Sequence, residues 1–390
     1  MKPNRIIVSG GGTGGHIYPA LAIATIYKQE LPESDVLFVG AKGKMEMEKV
    51  PKAGFKIKGI WISGFQRSLS FQNILFPLKL VLSLMQSFFI IKKFKPTLVV
   101  GTGGYASGPL LQMAQWLNLP TLIQEQNSYP GITNRILSKK VDRICVAYEG
   151  MEHYFPASKI KLTGNPIRPI MLSKEISSSA AKIFFGLDPE KDTLVIIGGS
   201  LGARRINELI ADQIDFFKGQ SLQVIWQCGA LYHKEYKGLA QKDIVVRPFI
   251  YEMEQLYAAS DMIISRAGAG SLSELSCVGK PLLLIPSPNV TANHQFHNAQ
   301  ALVKKKAALM LEEKDLDVKF QTVFSSLITD IELRNEMRTQ LKAMAKPEAA
   351  QAIVNEILNF FNKKKAVRNK PKIPNELNIN IIPLSKNKYG

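Results

Sequence analysis

The chain has 390 residues, of which 46% are hydrophobic, and this is enough for two domains with separate cores. Its formal net charge of +18 indicates an anionic partner, such as nucleic acid, acidic lipid or a phosphorylated substrate. No zinc-finger spacing and no aromatic-basic RNA signature accompanies the charge, which argues against nucleic acid. Three separated cysteines without a CxxC pair, and an N-terminus without a secretory signal, predict a cytoplasmic protein with reduced thiols.

Apolar runs alternate with helical patterns along the chain. The runs predict strands at 5–9, 36–39, 97–100, 121–124, 143–147, 194–197, 223–227, 244–246, 262–265 and 282–286. Such continuous runs of Val, Ile and Leu are typical of strands buried on both faces of a parallel sheet. Because the strands alternate with helices, they predict βαβ units in an open α/β sheet.

The two halves of the chain resemble each other. Each begins with an apolar strand, a glycine-rich turn and a helical pattern, first at 6–15 and again at 194–203. The sequence therefore predicts two Rossmann-like domains, at 1–165 and 166–345. A helix at 346–362 is expected to pack back toward the first domain, and the basic segment 363–390 is expected to be a disordered tail.

Four glycine-rich turns follow strands, at 10–15, 101–104, 198–202 and 267–270. Glycine lets backbone N–H groups approach a phosphate, and the N-terminus of the following helix favours negative charge. Two turns in each half predict two anionic ligands that meet across a cleft, although an ordinary tight turn explains any single one as well. The first turn departs from the dinucleotide fingerprint, and no acidic residue follows the second strand, which disfavours a nicotinamide dehydrogenase.

Three polar features, two beside these turns and one further along the chain, have candidate roles. His16 is placed to take a proton or contact a diphosphate, or to cap a helix. Glu274 lies about one turn into the helix that follows 267–270, where it could accept hydrogen bonds from a ribose or stabilise the helix N-terminus. The polar cluster 294–299 could contact a sugar or form a capping loop.

Two further segments suggest metal or membrane binding. Asp315-Leu316-Asp317 matches the DxD motif of metal-dependent sugar transferases, but no apolar strand precedes it, so a solvated charged turn is favoured. The apolar stretch 74–91 is interrupted by Pro77, Lys79 and Gln86, so it is too polar for a spanning helix. With lysines following it, it predicts an interfacial helix that binds anionic lipid, and an ordinary core helix is the alternative.

The motifs together closely resemble the MurG family of glycosyltransferases, from about residue 5 to residue 360. The segments that carry this resemblance are 11–16 with Pro19-Ala20, 103–105 with 107–109, 125–127, 164–168, 198–203, 271–274, and Gln295 with Asn298-Ala299. The resemblance implies a GT-B fold, in which two Rossmann-like domains face one cleft, and it implies neither a metal nor a cofactor. The first domain would bind the acceptor and the membrane, and the second would bind the UDP-sugar.

The activity that the resemblance implies is inverting transfer of N-acetylglucosamine from UDP-GlcNAc to the C4 hydroxyl of lipid I, undecaprenyl-pyrophosphoryl-MurNAc-pentapeptide. This is a step of peptidoglycan synthesis at the cytoplasmic face of the inner membrane. By the family pattern, UDP-GlcNAc would contact Thr13, Gly14, Gly15, Asn127, Arg168, Ser200, Ile250, Ala269, Gly270, Ser271, Leu272, Ser273, Glu274 and Gln295. The acceptor diphosphate would meet Gly103, Gly104 and Tyr105. His16 is expected to be the general base, with Glu125 in reserve.

Two other hypotheses stay open on the sequence. The chain could be a GT-B transferase for another lipid acceptor, such as a diacylglycerol, although the first-half acceptor loops argue against it. It could also be a non-catalytic subunit that binds a nucleotide sugar, although donor and acceptor motifs occur in one chain.

Overall fold

The computed structural model of the protein describes residues 4–64, 75–167, 176–199 and 201–368. In this part of the chain the first sheet has seven parallel strands, in the order β3-β2-β1-β4-β5-β6-β7. The strands are β1 (Arg5–Ser9), β2 (Asp35–Ala41), β3 (Lys56–Ile60), β4 (Leu98–Gly101), β5 (Thr121–Glu125), β6 (Arg143–Val146) and β7 (Ile160–Leu162). The helices are α1 (Gly14–Glu30), α2 (Glu46–Lys52), α3 (Phe76–Phe94), α4 (Ser107–Trp116) and α5 (Ile132–Leu137), with 3₁₀ turns at Met151–His153 and Ala157–Lys159.

The second sheet has six parallel strands within the described residues, in the order β10-β9-β8-β11-β12-β13. The strands are β8 (Thr193–Ile197), β9 (Gln223–Gln227), β10 (Ile244–Arg247), β11 (Met262–Ser265), β12 (Leu282–Leu284) and β13 (Leu309–Met310). The helices are α6 (Ser178–Phe184), α7 (Arg204–Asp212), α8 (Ile214–Gly219), α9 (His233–Tyr236), α10 (Met253–Ala259), α11 (Ala269–Val278), α12 (His294–Lys304), α13 (Leu316–Thr329), α14 (Ile331–Met344) and α15 (Ala349–Arg368). Single 3₁₀ turns lie at Lys237–Leu239, Thr291–Asn293 and Glu313–Asp315.

The prediction of two parallel α/β units is confirmed. Alternate residues of β1 enter different cores: Ile6 and Val8 pack on one face of the first sheet, and Ile7 packs on the other. Both faces are covered by helices, which is why the strands read as continuous apolar runs rather than alternating ones.

Three strands absent from the prediction, β3, β7 and β13, all lie at sheet edges. β3 carries exposed Lys56 and Lys58, and β7 and β13 have three and two residues. An edge strand is covered on fewer sides than a central one, so it lacks the apolar run that identifies its buried neighbours.

The strand order brings the four glycine turns together in pairs. In each sheet the order reverses between two neighbouring strands, β1 and β4 in the first and β8 and β11 in the second. Ser9 at the end of β1 is level with Gly101 at the end of β4, and Ile197 is level with Ser265. The turns that follow these strands therefore lie side by side at the switch point, where open α/β sheets bind their ligands.

The last helix, α15, packs on the first domain although it follows the second in the chain. Ile353, Val354 and Ile357 are buried in the same core as α1, and Arg143 pairs with Glu356 at 2.9 Å. The helix runs to Arg368, past residue 362 where the sequence predicts its end. The expected disordered tail lies outside the described residues from 369 onward.

Candidate active site

The two glycine turns of the first domain are in direct backbone contact. The N–H of Gly11 donates to the carbonyl of Gly103 at 3.3 Å. Gly104 has a φ of +87°, and a Cβ there would lie 2.1 Å from the carbonyl oxygen of Gly11. Only glycine fits both the left-handed backbone and the lack of space, so this position keeps the two turns in contact.

His16 lies in the first turn of α1, and its ring folds back over the glycine turn. Nδ1 is 3.1 Å from the carbonyl oxygen of Gly11 and 3.3 Å from the hydroxyl of Thr13. Burial lowers the pKa of His16 from its ordinary 6.5, and His294 lowers it further. Glu125, the Gly11 carbonyl and the buried Glu46 raise this pKa, but they do not offset the effect of burial. His16 is therefore neutral near pH 7, as a general base must be. Since His294 belongs to the second domain, the two domains face each other here.

Glu125, the reserve candidate for the base, is occupied by hydrogen bonds. Oε1 accepts from the backbone and side-chain N–H groups of Asn127, at 3.0 and 3.1 Å. Oε2 accepts from the N–H of Gly131 at 3.1 Å and from Nδ2 of Asn134 at 2.8 Å. The side chain is buried at the end of β5. This geometry suits a residue that holds the loop carrying Asn127 rather than one that accepts a substrate proton.

In the second domain a buried glutamine joins two parts of the predicted donor site. Nε2 of Gln227 donates to the carbonyl of Gly199 at 3.1 Å, and its Oε1 accepts the N–H of Ile250 at 2.9 Å. The N–H of Ile250 is thus bound to Gln227, so the backbone of this predicted donor residue offers a ligand its carbonyl oxygen.

The predicted donor residues of α11 point in different directions. The helix begins after Gly268, whose backbone is extended, and among the described residues no side chain caps its first N–H groups. Ser271 and Glu274 are partly exposed, and the Tyr257 hydroxyl lies 3.5 Å from the Glu274 carboxylate. Leu272 is buried in the core, so it offers a ligand only its backbone. The Ser273 hydroxyl donates to the carbonyl of Ala269 at 3.0 Å and accepts from Nδ2 of Asn165 at 3.0 Å, so it lies in the contact between the domains.

The remaining predicted contacts are placed as follows. Gln295 lies in the first turn of α12, where its Oε1 accepts the N–H of Ser287 at 2.9 Å and holds the preceding loop. Tyr105 is half-exposed and its ring packs over Gly64 and Gly12. Arg168 and Ser200 lie outside the described residues.

Two buried asparagines join the domains beside the cleft. Oδ1 of Asn298 accepts the N–H of Ser128 at 2.9 Å and its hydroxyl at 3.2 Å, and Nδ2 donates to Oδ1 of Asn127 at 3.1 Å. Asn165 donates to the carbonyl of Gln126 at 3.0 Å and to the Ser273 hydroxyl at 3.0 Å. Both therefore connect the loop after β5 with the second domain.

Two other contacts cross the same boundary. The rings of Tyr129 and His297 stack at 4.9 Å, and Lys305 pairs with Glu149 at 2.5 Å. The sequence motifs contained Asn165 and Asn298 but did not indicate that they join the two domains.

The DxD segment forms ion pairs within the protein. Asp315 pairs with Lys319 at 2.9 Å and Asp317 with Arg205 at 2.5 Å, while Leu316 between them is buried. This arrangement agrees with a charged turn at the start of a helix. Among the described residues, no three His, Cys, Asp or Glu side chains come together as a metal site requires.

Sequence reasoning missed two buried polar residues at the site, Gln227 and Glu46. Glu46 is fully buried, and its carboxylate accepts the N–H groups of Gly12 and Ala41. Nothing in the sequence distinguishes Glu46 from Glu48, which is exposed on the same helix. Gln227 could have been identified, because it is a polar residue at the end of an apolar strand.

Comparison with known proteins agrees with this geometry. Residues 6–146 match the glycosyltransferase family 28 N-terminal domain, and residues 193–356 match the family 28 C-terminal domain. The chain is 52% identical over 367 residues, 94% of its length, to the whole UDP-N-acetylglucosamine--N-acetylmuramyl-(pentapeptide) pyrophosphoryl-undecaprenol N-acetylglucosamine transferase of Flavobacterium psychrophilum. It is also 52% identical over 360 residues to the transferase of the same name from Christiangramia forsetii, covering 92% of this chain and 98% of that one.

A solved structure shows the same architecture. The crystal structure of MurG from Acinetobacter baumannii superposes with a TM-score of 0.74 at 27% identity, covering 92% of this chain and all of that one. The prediction of a GT-B fold, with two parallel-sheet domains, is thus confirmed. The chain belongs to glycosyltransferase family 28 and, within it, to the MurG family.

Proposed function

We propose that the protein transfers N-acetylglucosamine from UDP-GlcNAc to lipid I, in an inverting reaction of peptidoglycan synthesis that needs no metal. The C4 hydroxyl of the MurNAc residue attacks the anomeric carbon, the bond from that carbon to the diphosphate breaks, and UDP leaves. The proton of the hydroxyl passes to His16. The names of the 52% identical relatives support the substrates.

The observation that carries this proposal is the geometry of His16. The Gly11 carbonyl can only accept a hydrogen bond, so the contact with Nδ1 puts the ring proton on Nδ1 and leaves Nε2 as the basic nitrogen. Burial keeps the ring neutral. Glu125, whose oxygens accept four N–H groups, instead orders the loop that carries Asn127.

The second domain would hold the donor. The N-terminus of α11, which no side chain of the described residues caps, offers backbone N–H groups to the diphosphate. This positive helix end stabilises the leaving UDP in place of a metal. Glu274, about one turn further, would accept hydrogen bonds from the ribose. The acceptor pyrophosphate would meet Gly103, Gly104 and Tyr105 on the facing domain.

Turnover by the purified chain alone tests the proposal. The protein is mixed with UDP-GlcNAc and a soluble lipid I analogue, with EDTA present, and disaccharide product and UDP are measured. We expect both products in equal amounts, and a His16→Gln variant that retains its fold but loses most of its rate. A diacylglycerol as the accepted substrate, or no turnover without a second protein, would favour one of the alternative hypotheses. Loss of activity in EDTA would contradict the metal-independent mechanism.

We further propose that the protein acts while bound peripherally to the cytoplasmic face of the inner membrane, through α3. In the described part of the chain, no helix is long and apolar enough to cross a bilayer. The inward face of α3 carries small Ser83 and Ser87, whereas Val81, Met85 and Phe89 are exposed, with Phe89 at 64%. An apolar outer face of this kind, followed by Lys92 and Lys93, suits docking onto an anionic lipid surface.

A further inference from the structure

A carboxylate lies buried beneath the first glycine turn. Glu46 is 0% exposed, and its Oε2 accepts the N–H of Gly12 at 3.0 Å while its Oε1 accepts the N–H of Ala41 at 2.9 Å. In the described part of the chain its partners are these backbone groups, and no lysine or arginine forms an ion pair with it. Burying a carboxylate is costly unless hydrogen bonds satisfy its oxygens, and here the two N–H groups do so. Because Ala41 ends β2 and Gly12 lies in the turn after β1, Glu46 joins these two segments.

Two neighbouring glycines leave room for this carboxylate. A Cβ at Gly11 would lie 2.2 Å from Oε1 of Glu46, and a Cβ at Gly40 would lie 2.5 Å from its Cγ. Neither position can carry a side chain while Glu46 stays in place. At Gly11, the glycine is thus explained by a resident carboxylate rather than by the approach of a substrate phosphate.

Glu46 and His16 bind opposite ends of one peptide group. The amide between Gly11 and Gly12 donates its N–H to Glu46, and its carbonyl accepts from Nδ1 of His16 at 3.1 Å. A negative charge on the N–H side polarises the amide and makes its carbonyl a stronger acceptor, because hydrogen bonds in a chain reinforce one another. The carboxylate therefore strengthens the bond that keeps the imidazole proton on Nδ1.

We propose that Glu46 is a positioning residue of the transfer reaction, which acts on His16 through the Gly11–Gly12 peptide so that Nε2 stays free to accept the substrate proton. The inference rests on the proposed function, in which His16 is the general base. Gly103 completes the arrangement, because a Cβ there would lie 2.7 Å from Cδ2 of His16 and would displace the ring.

The pKa of His16 also depends on Glu46. Burial and His294 lower the pKa of His16, whereas Glu125, the Gly11 carbonyl and Glu46 raise it. Loss of the negative charge at Glu46 removes one of the contributions that raise the pKa. The pKa of His16 then falls further below its ordinary value.

The test replaces Glu46 by glutamine, which keeps the volume and removes the charge. Glu48→Gln is the matched control, because Glu48 lies on the same helix, is exposed and pairs with Lys52 at 2.7 Å. With only five histidines in the chain, ¹⁵N-histidine NMR resolves the tautomer and titration of His16. We expect an Nδ1–H tautomer in the native protein and in Glu48→Gln. Glu46→Gln should show a lower pKa and a mixture of tautomers.

Kinetics supply a second readout that a purely structural role would not change in the same way. In Glu46→Gln the rise of kcat/KM with pH should move to lower pH, and kcat should fall by about 10- to 100-fold, within the contribution of a general base. The KM for UDP-GlcNAc should change less than kcat, because Glu46 binds Gly12 and Ala41, and neither is among the predicted donor contacts. Glu48→Gln should keep native kinetics.

Two results would overturn the proposal. One is a native His16 that carries its proton on Nε2, which needs no variant and so decides the question even if Glu46→Gln fails to fold. The other is a folded Glu46→Gln protein whose His16 keeps the native tautomer and pKa. A His16→Gln enzyme with native turnover would instead remove His16 as the base, while the NMR results would still report on the hydrogen-bond chain.

Discussion

Replacing Asn298 by alanine should loosen the contact between the two domains. The side chain is 0% exposed and makes three hydrogen bonds to the loop of the other domain, two to Ser128 and one to Asn127. A neutral hydrogen bond contributes about 1 kcal/mol net, so three contribute about 3 kcal/mol, which is roughly a hundredfold in the equilibrium between closed and open domains. The fourth bond, to the carbonyl of Ala267, lies within the second domain.

The assay follows from this location. We expect kcat/KM for UDP-GlcNAc to fall by about 10- to 100-fold, because the open form no longer holds Asn127 close to α11, and both are predicted donor contacts. Small-angle X-ray scattering should show a larger radius of gyration. The melting temperature should change little, because the lost bonds join the domains and leave each core intact.

The matched control is Asn355→Ala on α15, where the asparagine is exposed and bound only by Gln351 at 3.1 Å in the described structure. It should keep native kinetics and dimensions. An Asn298→Ala protein with native kcat/KM and native radius of gyration would refute the reasoning. A large drop in melting temperature with unchanged dimensions would also refute it, since the side chain would then stabilise one domain rather than the contact.

Other predictions concern the glycine turns, the pH dependence and the membrane surface. Gly104→Ala should lower the melting temperature of the first domain and abolish activity. Gly43 also has a positive φ, of +70°, but open space around it, so Gly43→Ala should lose only the cost of the left-handed backbone, about 1–2 kcal/mol in the free energy of unfolding measured by chemical denaturation. Equal losses in the two variants would mean that the clash is absent. Because the folded pKa of His16 lies below its ordinary 6.5, its contribution to stability should be present above pH 6.5 and lost as the pH falls below it. Melting curves of His16→Gln should lack this loss, and a native protein without it would contradict the burial of the ring. Phe89→Ser should weaken flotation with anionic liposomes at low salt, whereas Val318→Ser, at a position 83% exposed on the second domain, should not. Equal flotation of the two variants would exclude α3 as the docking surface.

The prediction of buried strands succeeded where local sequence carries the signal. β1, β4, β8 and β11 are covered on both faces, so their apolar residues are continuous and their ends are marked by glycine. Edge strands such as β3, with exposed Lys56 and Lys58, carry no such run. The family motifs likewise depend on order along the chain, and they identified the transferase family without knowledge of any contact.

The sequence by itself determined the two-domain parallel architecture and the family, because buried strands, glycine turns and motif order are properties of consecutive residues. Only the tertiary structure decided which polar residues act together. Glu46 and Glu48 are two positions apart, yet one binds the turn beside His16 and the other binds Lys52 at the surface. Asn298 meets Ser128 across 170 positions of the chain. Such partners are set by strand order and domain packing, which fix where distant backbone groups come to lie, and no local pattern encodes them.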